Sequence, residues 1–186
     1  MTRGAIALVA FAALAVLVAL GVLAGVDRAI LDLVQVPHAY WLDLGASIVS
    51  AFGQSEVVAS IALGVAVVRL RAGRRDWWIP LIVAIVVAVE FLLKLTIPQA
   101  PPPAELSRTI HLFPFLEAPP AYAFPSGHVA RVAFLVMALR WPGGLSAVIV
   151  VVMALTRVYL AEHWPTDVVG GLLLGYGIAA MVRGRA

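Results

Sequence analysis

Four stretches of this chain hold polar side chains whose types and spacing suit chemistry on an anion: Lys94, Pro125-Ser126-Gly127-His128, Thr156-Arg157 with His163, and Asp167. Pro165 fits the first position of a helix, which puts Asp167 in the first turn and His163 just ahead of it. The carboxylate can then accept a hydrogen bond from one imidazole nitrogen. That bond fixes the tautomer and raises the basicity of the other nitrogen, as an imidazole needs in order to attack an electrophile. A metal held by His163 and Asp167 is the rival chemistry, but no further carboxylate cluster completes a coordination shell, and the chain has no cysteine.

The Pro-Ser-Gly run before His128 suits a helix start, where free N–H groups and the positive end of the dipole hold an anion. His128 then stands in the first turn beside that anion. Arg157 lies six residues before His163, nearly two turns below the helix end, and is tolerable there when paired with an anion. Together these groups are consistent with metal-free phosphoryl transfer. Neutral His163 attacks phosphorus in line, while Arg157, Lys94 and the amides near Ser126 and Gly127 neutralise the equatorial oxygens. His128 protonates the leaving oxygen, and water then opens the phosphohistidine with His128 as base.

The elements that position these residues are membrane spans. Of 186 residues 63% are hydrophobic and 12% charged, with a mean hydropathy of +1.02, which excludes a water-soluble globular enzyme. At about 20 residues per crossing, the length allows six spans and one domain over 1–186, an all-α integral-membrane bundle. The predicted spans are 4–26, 48–68, 79–97, 126–139, 145–161 and 167–182. The first is longer than the apolar core of a signal peptide, about 7 to 15 residues, and is read as a retained span. The second is weakened by Ser50, Gln54, Ser55 and Glu56.

The net charge of +3 and pI near 9.8 raise nucleic acid as a partner, but the arginines follow topology instead. One face holds Arg3, Arg69, Arg71, Arg74, Arg75, Arg140, Arg183 and Arg185. The other holds Asp27, Arg28, Asp32, Asp43, Glu105, Arg108 and Glu117. The positive-inside rule puts both termini in the cytoplasm and the histidines at the outer face of the cell's inner (plasma) membrane. The long connection 98–125, with Pro98, Pro101, Pro102 and Pro103, then lies outside and is read as a cover over the site. A site opening at the outer interface implies a lipid headgroup as substrate, with the bilayer as partner and no nucleic acid.

These residues resemble the type 2 phosphatidic acid phosphatase (lipid phosphate phosphatase) superfamily over roughly 94–182. Its Pro-Ser-Gly-His signature stands unaltered as Pro125 to His128. Its Ser-Arg, His and Asp signature is matched by Thr156-Arg157, His163 and Asp167, with Thr for Ser. The resemblance implies a six-span fold, with His163 as nucleophile, His128 as acid and base, and Asp167 as orienter. It also implies phosphate held by Arg157, Ser126, Gly127 and Lys94, with no metal or cofactor. The signature that begins at Lys departs: Lys94 is followed by Pro101-Pro102 where the family has Arg-Pro. A missing bidentate cation could cost a few kcal/mol of transition-state stabilisation, so a substitute is expected. Arg108, on the water side, is slightly preferred to Arg131, which lies one helical turn from His128.

Glu90 and Lys94, four apart, are expected to pair. Glu56 and Glu162 receive no role. Tyr40, Trp41, Trp77, Trp78, Tyr159 and Trp164 suit interface belts, and His38 and His111 suit solvated connections. The leading function is hydrolysis of a lipid phosphate or diphosphate: an isoprenoid diphosphate, phosphatidic acid or phosphatidylglycerol phosphate. Lipid phosphotransfer through the same histidine, and non-catalytic binding of anionic lipid, are the alternatives.

Overall fold

A computed structural model describes residues 1–112 and 122–184; Glu117 and Arg185 of the charge pattern lie outside the described residues. Among the described residues the chain is all-α. Its helices are α1 (Arg3–Ala19), α2 (Ala24–Val34), α3 (Tyr40–Ala51), α4 (Ser55–Arg71), α5 (Val83–Thr96), α6 (Gly127–Ala138), α7 (Gly143–Tyr159) and α8 (Pro165–Arg183). A 3-10 turn, Ile79–Ile82, leads into α5, and another, Ala104–Leu106, interrupts the long connection.

α6 is the axis of the bundle. Every one of its residues except Met137 is buried, as expected of a helix apolar on all sides. Small residues bring α8 against it: a β-carbon on Gly171 would run into the Ser126 carbonyl, and one on Gly175 into that of Ala130. Glycine spaced four apart lets two backbones touch, so dispersion and close packing replace the hydrophobic drive that lipid does not supply. α1 packs on the other side of α8, where a β-carbon on Gly4 would come within 2.8 Å of Met181. The circumference is apolar and open: Phe91, Leu92 and Leu95 of α5 and Val148, Val151 and Leu155 of α7 are all exposed. That surface suits lipid rather than water.

Among the described residues two helices are long and apolar enough to cross a membrane, Ile79–Thr96 and Pro165–Arg183, or up to four if each bent pair counts as one span. The expected run 4–26 is not one helix. α1 ends at Ala19, the chain turns at Gly21 with φ +69°, and α2 leaves at 96° to α1. The expected span 48–68 is likewise broken at residues 52–54, between α3 and α4, which meet at 46°. α6 and α7 are apolar but shorter, with 12 and 17 residues; at 1.5 Å per residue they rise about 18 and 25 Å. A further correction concerns Asp27. It does not sit in a solvated connection with Arg28 and Asp32 but on the inward face of α2, 2% exposed. Arg28 and Asp32 pair on the outward face of the same helix at 2.9 Å.

Candidate active site

The site forms where α6 and α8 begin and α5 and α7 end. α7 closes with Ala161 in the left-handed region, φ +54°. The amides of Ala161 and Glu162 turn back to the carbonyls of Val158 and Arg157, at 3.0 and 3.1 Å, the pairing of a Schellman termination. This turn delivers His163 to the start of α8, where its Nδ1 lies 3.2 Å from the Asp167 carboxylate. The same carboxylate oxygen accepts from the Trp164 amide at 2.9 Å. Asp167 thus caps its own helix and orients the imidazole with one oxygen. The Ser126 amide donates to the Asp167 carbonyl at 2.9 Å and locks the two helix starts together. That amide is therefore committed, contrary to the expected role for it on phosphate. What Ser126 offers is its hydroxyl.

Ser126 Oγ, His128 Nε2 and Asp167 Oδ1 are buried with no hydrogen-bond partner among the described residues. A buried polar atom left unpaired costs free energy, and here two of them stand beside the start of α6, whose first-turn amides lack intrahelical acceptors. Three cations act on the two imidazoles. Lys94 pairs with Glu90 at 3.1 Å, as its spacing predicts. Arg131 pairs with the other Glu90 oxygen at 2.5 Å and donates twice to the Gly53 carbonyl, at 3.1 and 3.0 Å. Arg157 lies 3.7 Å from Glu162 and donates to Ser50. Lys94, Arg131 and Arg157 all act electrostatically on both imidazoles, and His163 acts on His128. Burial, reinforced by those three charges, pushes the His163 imidazole well below its ordinary value. That favours its neutral form near neutral pH.

Arg108 is drawn elsewhere. Its guanidinium donates to the carbonyls of Pro37 and Gln35 at 2.8 and 2.9 Å and lies 5.2 Å over the Tyr159 ring. It ties the long connection to α2 and α7. Tyr159, expected in an interface belt, is held by Asp43 at 2.6 Å.

Several residues of the site carried no sequence signal that singled them out. Asp27 accepts from the Thr166 amide, the Thr166 hydroxyl and Gln99, at 2.9, 2.6 and 3.2 Å, holding the first turn of α8 from a residue 139 positions earlier. Glu162 accepts from Ser107 and Thr109 at 2.8 and 2.5 Å and fastens the long connection. Gly53 leaves room for His128, since a β-carbon there would come within 2.7 Å of the ring. Each joins segments far apart in the chain, which local spacing does not encode. His38 and His111 are exposed. Among the described residues no three His, Cys, Asp or Glu side chains converge as metal ligands; the site's donor set is cationic and suits an anion.

The sequence profile of the PAP2 superfamily matches residues 75–184, more than half of the chain. Among curated proteins, the chain is 47% identical over 58 residues to "Putative undecaprenyl-diphosphatase YbjG" of Escherichia coli (strain K12). It is 36% identical over 66 residues to "Undecaprenyl-diphosphatase" of Sulfolobus acidocaldarius. Those alignments cover 28% and 33% of this chain, and 29% and 32% of the two relatives. Among solved structures, a PAP2-type phosphatidylglycerolphosphate phosphatase from Bacillus subtilis superposes with a TM-score of 0.77 at 22% identity, covering 100% of this chain and 96% of that one. At that identity the likeness is one of fold.

Proposed function

This chain belongs to the PAP2 superfamily, and on that premise we propose that it is a membrane phosphatase hydrolysing a lipid phosphate or diphosphate through a phosphohistidine on His163. The observation that carries the reading is the His163–Asp167 hydrogen bond of 3.2 Å beside the unpartnered Nε2 of His128, with three cations acting on both rings. Nε2 of His163 attacks phosphorus and the lipid oxygen leaves, taking its proton from His128. Water, deprotonated by His128, then splits the P–N bond and frees phosphate. Lys94, Arg157, the Ser126 hydroxyl and the amides of the first α6 turn, including that of Gly127, balance the charge on the equatorial oxygens. Asp167 holds His163 in its tautomer. We assign the third cation to Arg131 rather than Arg108, because Arg131 shares the Glu90 carboxylate with Lys94, whereas the Arg108 guanidinium is taken up by the Pro37 and Gln35 carbonyls. No step requires a metal.

In this reading α1, the α3–α4 pair and α5 to α8 make six passes, with α2 lying across the outer face. Both termini are cytoplasmic, and the histidines open to the outer leaflet of the plasma membrane. The substrate's tails stay in the bilayer while its phosphate enters at the start of α6. The names of the relatives direct the choice of headgroup to isoprenoid diphosphates and phosphatidylglycerol phosphate, with phosphatidic acid as the third candidate. The test is phosphate release from all three lipids by the purified protein, with chelator present and His163→Ala alongside. Release that vanadate inhibits and His163→Ala abolishes supports a hydrolase. Phosphate appearing on an acceptor lipid instead makes the protein a phosphotransferase, and no turnover with any lipid makes it a binding protein.

A further inference from the structure

A second cationic feature lies at the far end of the bundle. α6 begins at the histidines and ends at Ala138; α8 begins at Asp167 and ends at Arg183. Between those far ends and the connection after α4 is a cavity of about 290 Å³ lined by Arg74, Arg75, Asp76, Arg140 and Arg183, with Ile79 and Ala138 as its apolar part. Four positive charges face one negative, and that one is already satisfied: Asp76 is gripped by Arg74 through two bonds of 2.9 Å and by Arg69 at 3.4 Å. Arg183 donates to the Met137 carbonyl at 3.1 Å. Arg75 and Arg140 have no carboxylate partner among the described residues.

Arg140 adds an independent sign. It follows the C-cap of α6 with φ +61°, a position where glycine or asparagine is the unstrained choice. An arginine kept in a left-handed conformation at the mouth of a cavity points to use of its side chain. The cavity is also at the right depth for lipid. Trp78 and Trp141, next in sequence to Ile79 and Arg140, are 42% and 43% exposed, and exposed indoles mark the headgroup layer of a bilayer.

We propose that this cavity binds the phosphate-bearing headgroup of an anionic phospholipid, received by the guanidinium groups of Arg75 and Arg140. Planar guanidinium groups match phosphate oxygens two by two, and the ester substituents extend past Ile79 toward the apolar surface. In the proposed orientation this is the cytoplasmic leaflet, where basic pockets between helices recognise anionic headgroups. The inference does not depend on the chemistry of the histidines.

The test is native mass spectrometry of the full chain in detergent, titrated with phosphatidylglycerol or phosphatidylcholine. Wild type should retain one phosphatidylglycerol at concentrations where phosphatidylcholine does not bind. Arg75→Gln/Arg140→Asn should weaken that binding at least tenfold without changing phosphatase turnover, asparagine being tolerant of the backbone at 140. Arg75→Gln alone, on an exposed residue, answers the same question if the double variant does not fold. Unchanged phosphatidylglycerol binding by either variant, or equal retention of the two lipids by wild type, would overturn the proposal. Displacement of the lipid by inorganic phosphate at equal concentration would also overturn it, making the cavity a site for soluble anions.

Discussion

The carboxylate of Glu90 fills the space in which a β-carbon on residue 127 would have to stand. Glycine at 127 is thus dictated by a residue on another helix as well as by its place at the start of α6. Gly127→Ala forces Glu90 aside and with it the two cations that Glu90 holds. Overpacking of this kind costs about 1–3 kcal/mol, so the melting temperature should fall and turnover should drop at least tenfold. A thermal melt and a phosphate-release assay on the one variant check both.

Glu90 holds both Lys94 and Arg131, the cations proposed above for the substrate's phosphate. Glu90→Gln keeps the shape and removes the charge, so both cations become available to an entering anion. Vanadate inhibition should tighten by about tenfold, or about 1.4 kcal/mol, while stability falls because a buried ion pair has lost one partner. Weaker vanadate inhibition would show that Glu90 positions the cations rather than competing for them.

Asp27 should act on the chemistry through the first turn of α8. Asp27→Ala leaves the Thr166 amide and hydroxyl without their acceptor, at a cost of about 1–3 kcal/mol, and loosens the turn that carries Asp167. The expected result is a fall in kcat with little change in KM, and partial recovery in Asp27→Asn, which restores one acceptor oxygen. Steady-state kinetics on the two variants make the comparison.

The third cation can be identified by substitution. Arg131→Gln should reduce kcat/KM by a hundredfold or more. Arg108→Gln, which loses contacts to Gln35, Pro37 and Tyr159, should mainly lower thermal stability. The reverse pattern would return the phosphate role to Arg108.

The pH profile follows from the buried imidazole. Burial holds the His163 imidazole well below its ordinary range, and the nucleophile must be unprotonated. Activity is therefore lost as pH falls through that lowered value; the proton that His128 must donate sets a separate alkaline limb. The acid limb of kcat/KM, corrected for substrate ionisation, should lie below pH 6.5, and a limb above that would contradict the burial argument.

The parts of this molecule legible in the sequence were those written in local spacing. Glu90 and Lys94 are one turn apart and pair; His163 and Asp167 are four apart across Pro165 and bond; Pro-Ser-Gly starts a helix at Gly127. The α6–α8 seam at Gly171 and Gly175 repeats every four residues, though nothing local says which helix it meets. The bend at Gly21 was hidden inside an unbroken apolar run, because hydropathy reports burial in lipid and not backbone direction. Asp27, Ser50 and Gly53 were opaque for another reason: each acts on a residue more than 70 positions away. Charge at Asp27 resembled a solvated connection, since composition does not reveal which face of a short helix turns inward. Arg108 and Arg131 could be ranked by sequence position alone, and their partners, which separate them, are long-range.

The most direct test of the central claim is rapid-quench trapping of the enzyme with a lipid substrate labelled at its terminal phosphate, followed by peptide mapping. An acid-labile, base-stable label is expected on His163, absent in His163→Ala and reduced in Asp167→Asn. Phosphate release at the wild-type rate by His163→Ala, with no label on any histidine, would contradict it.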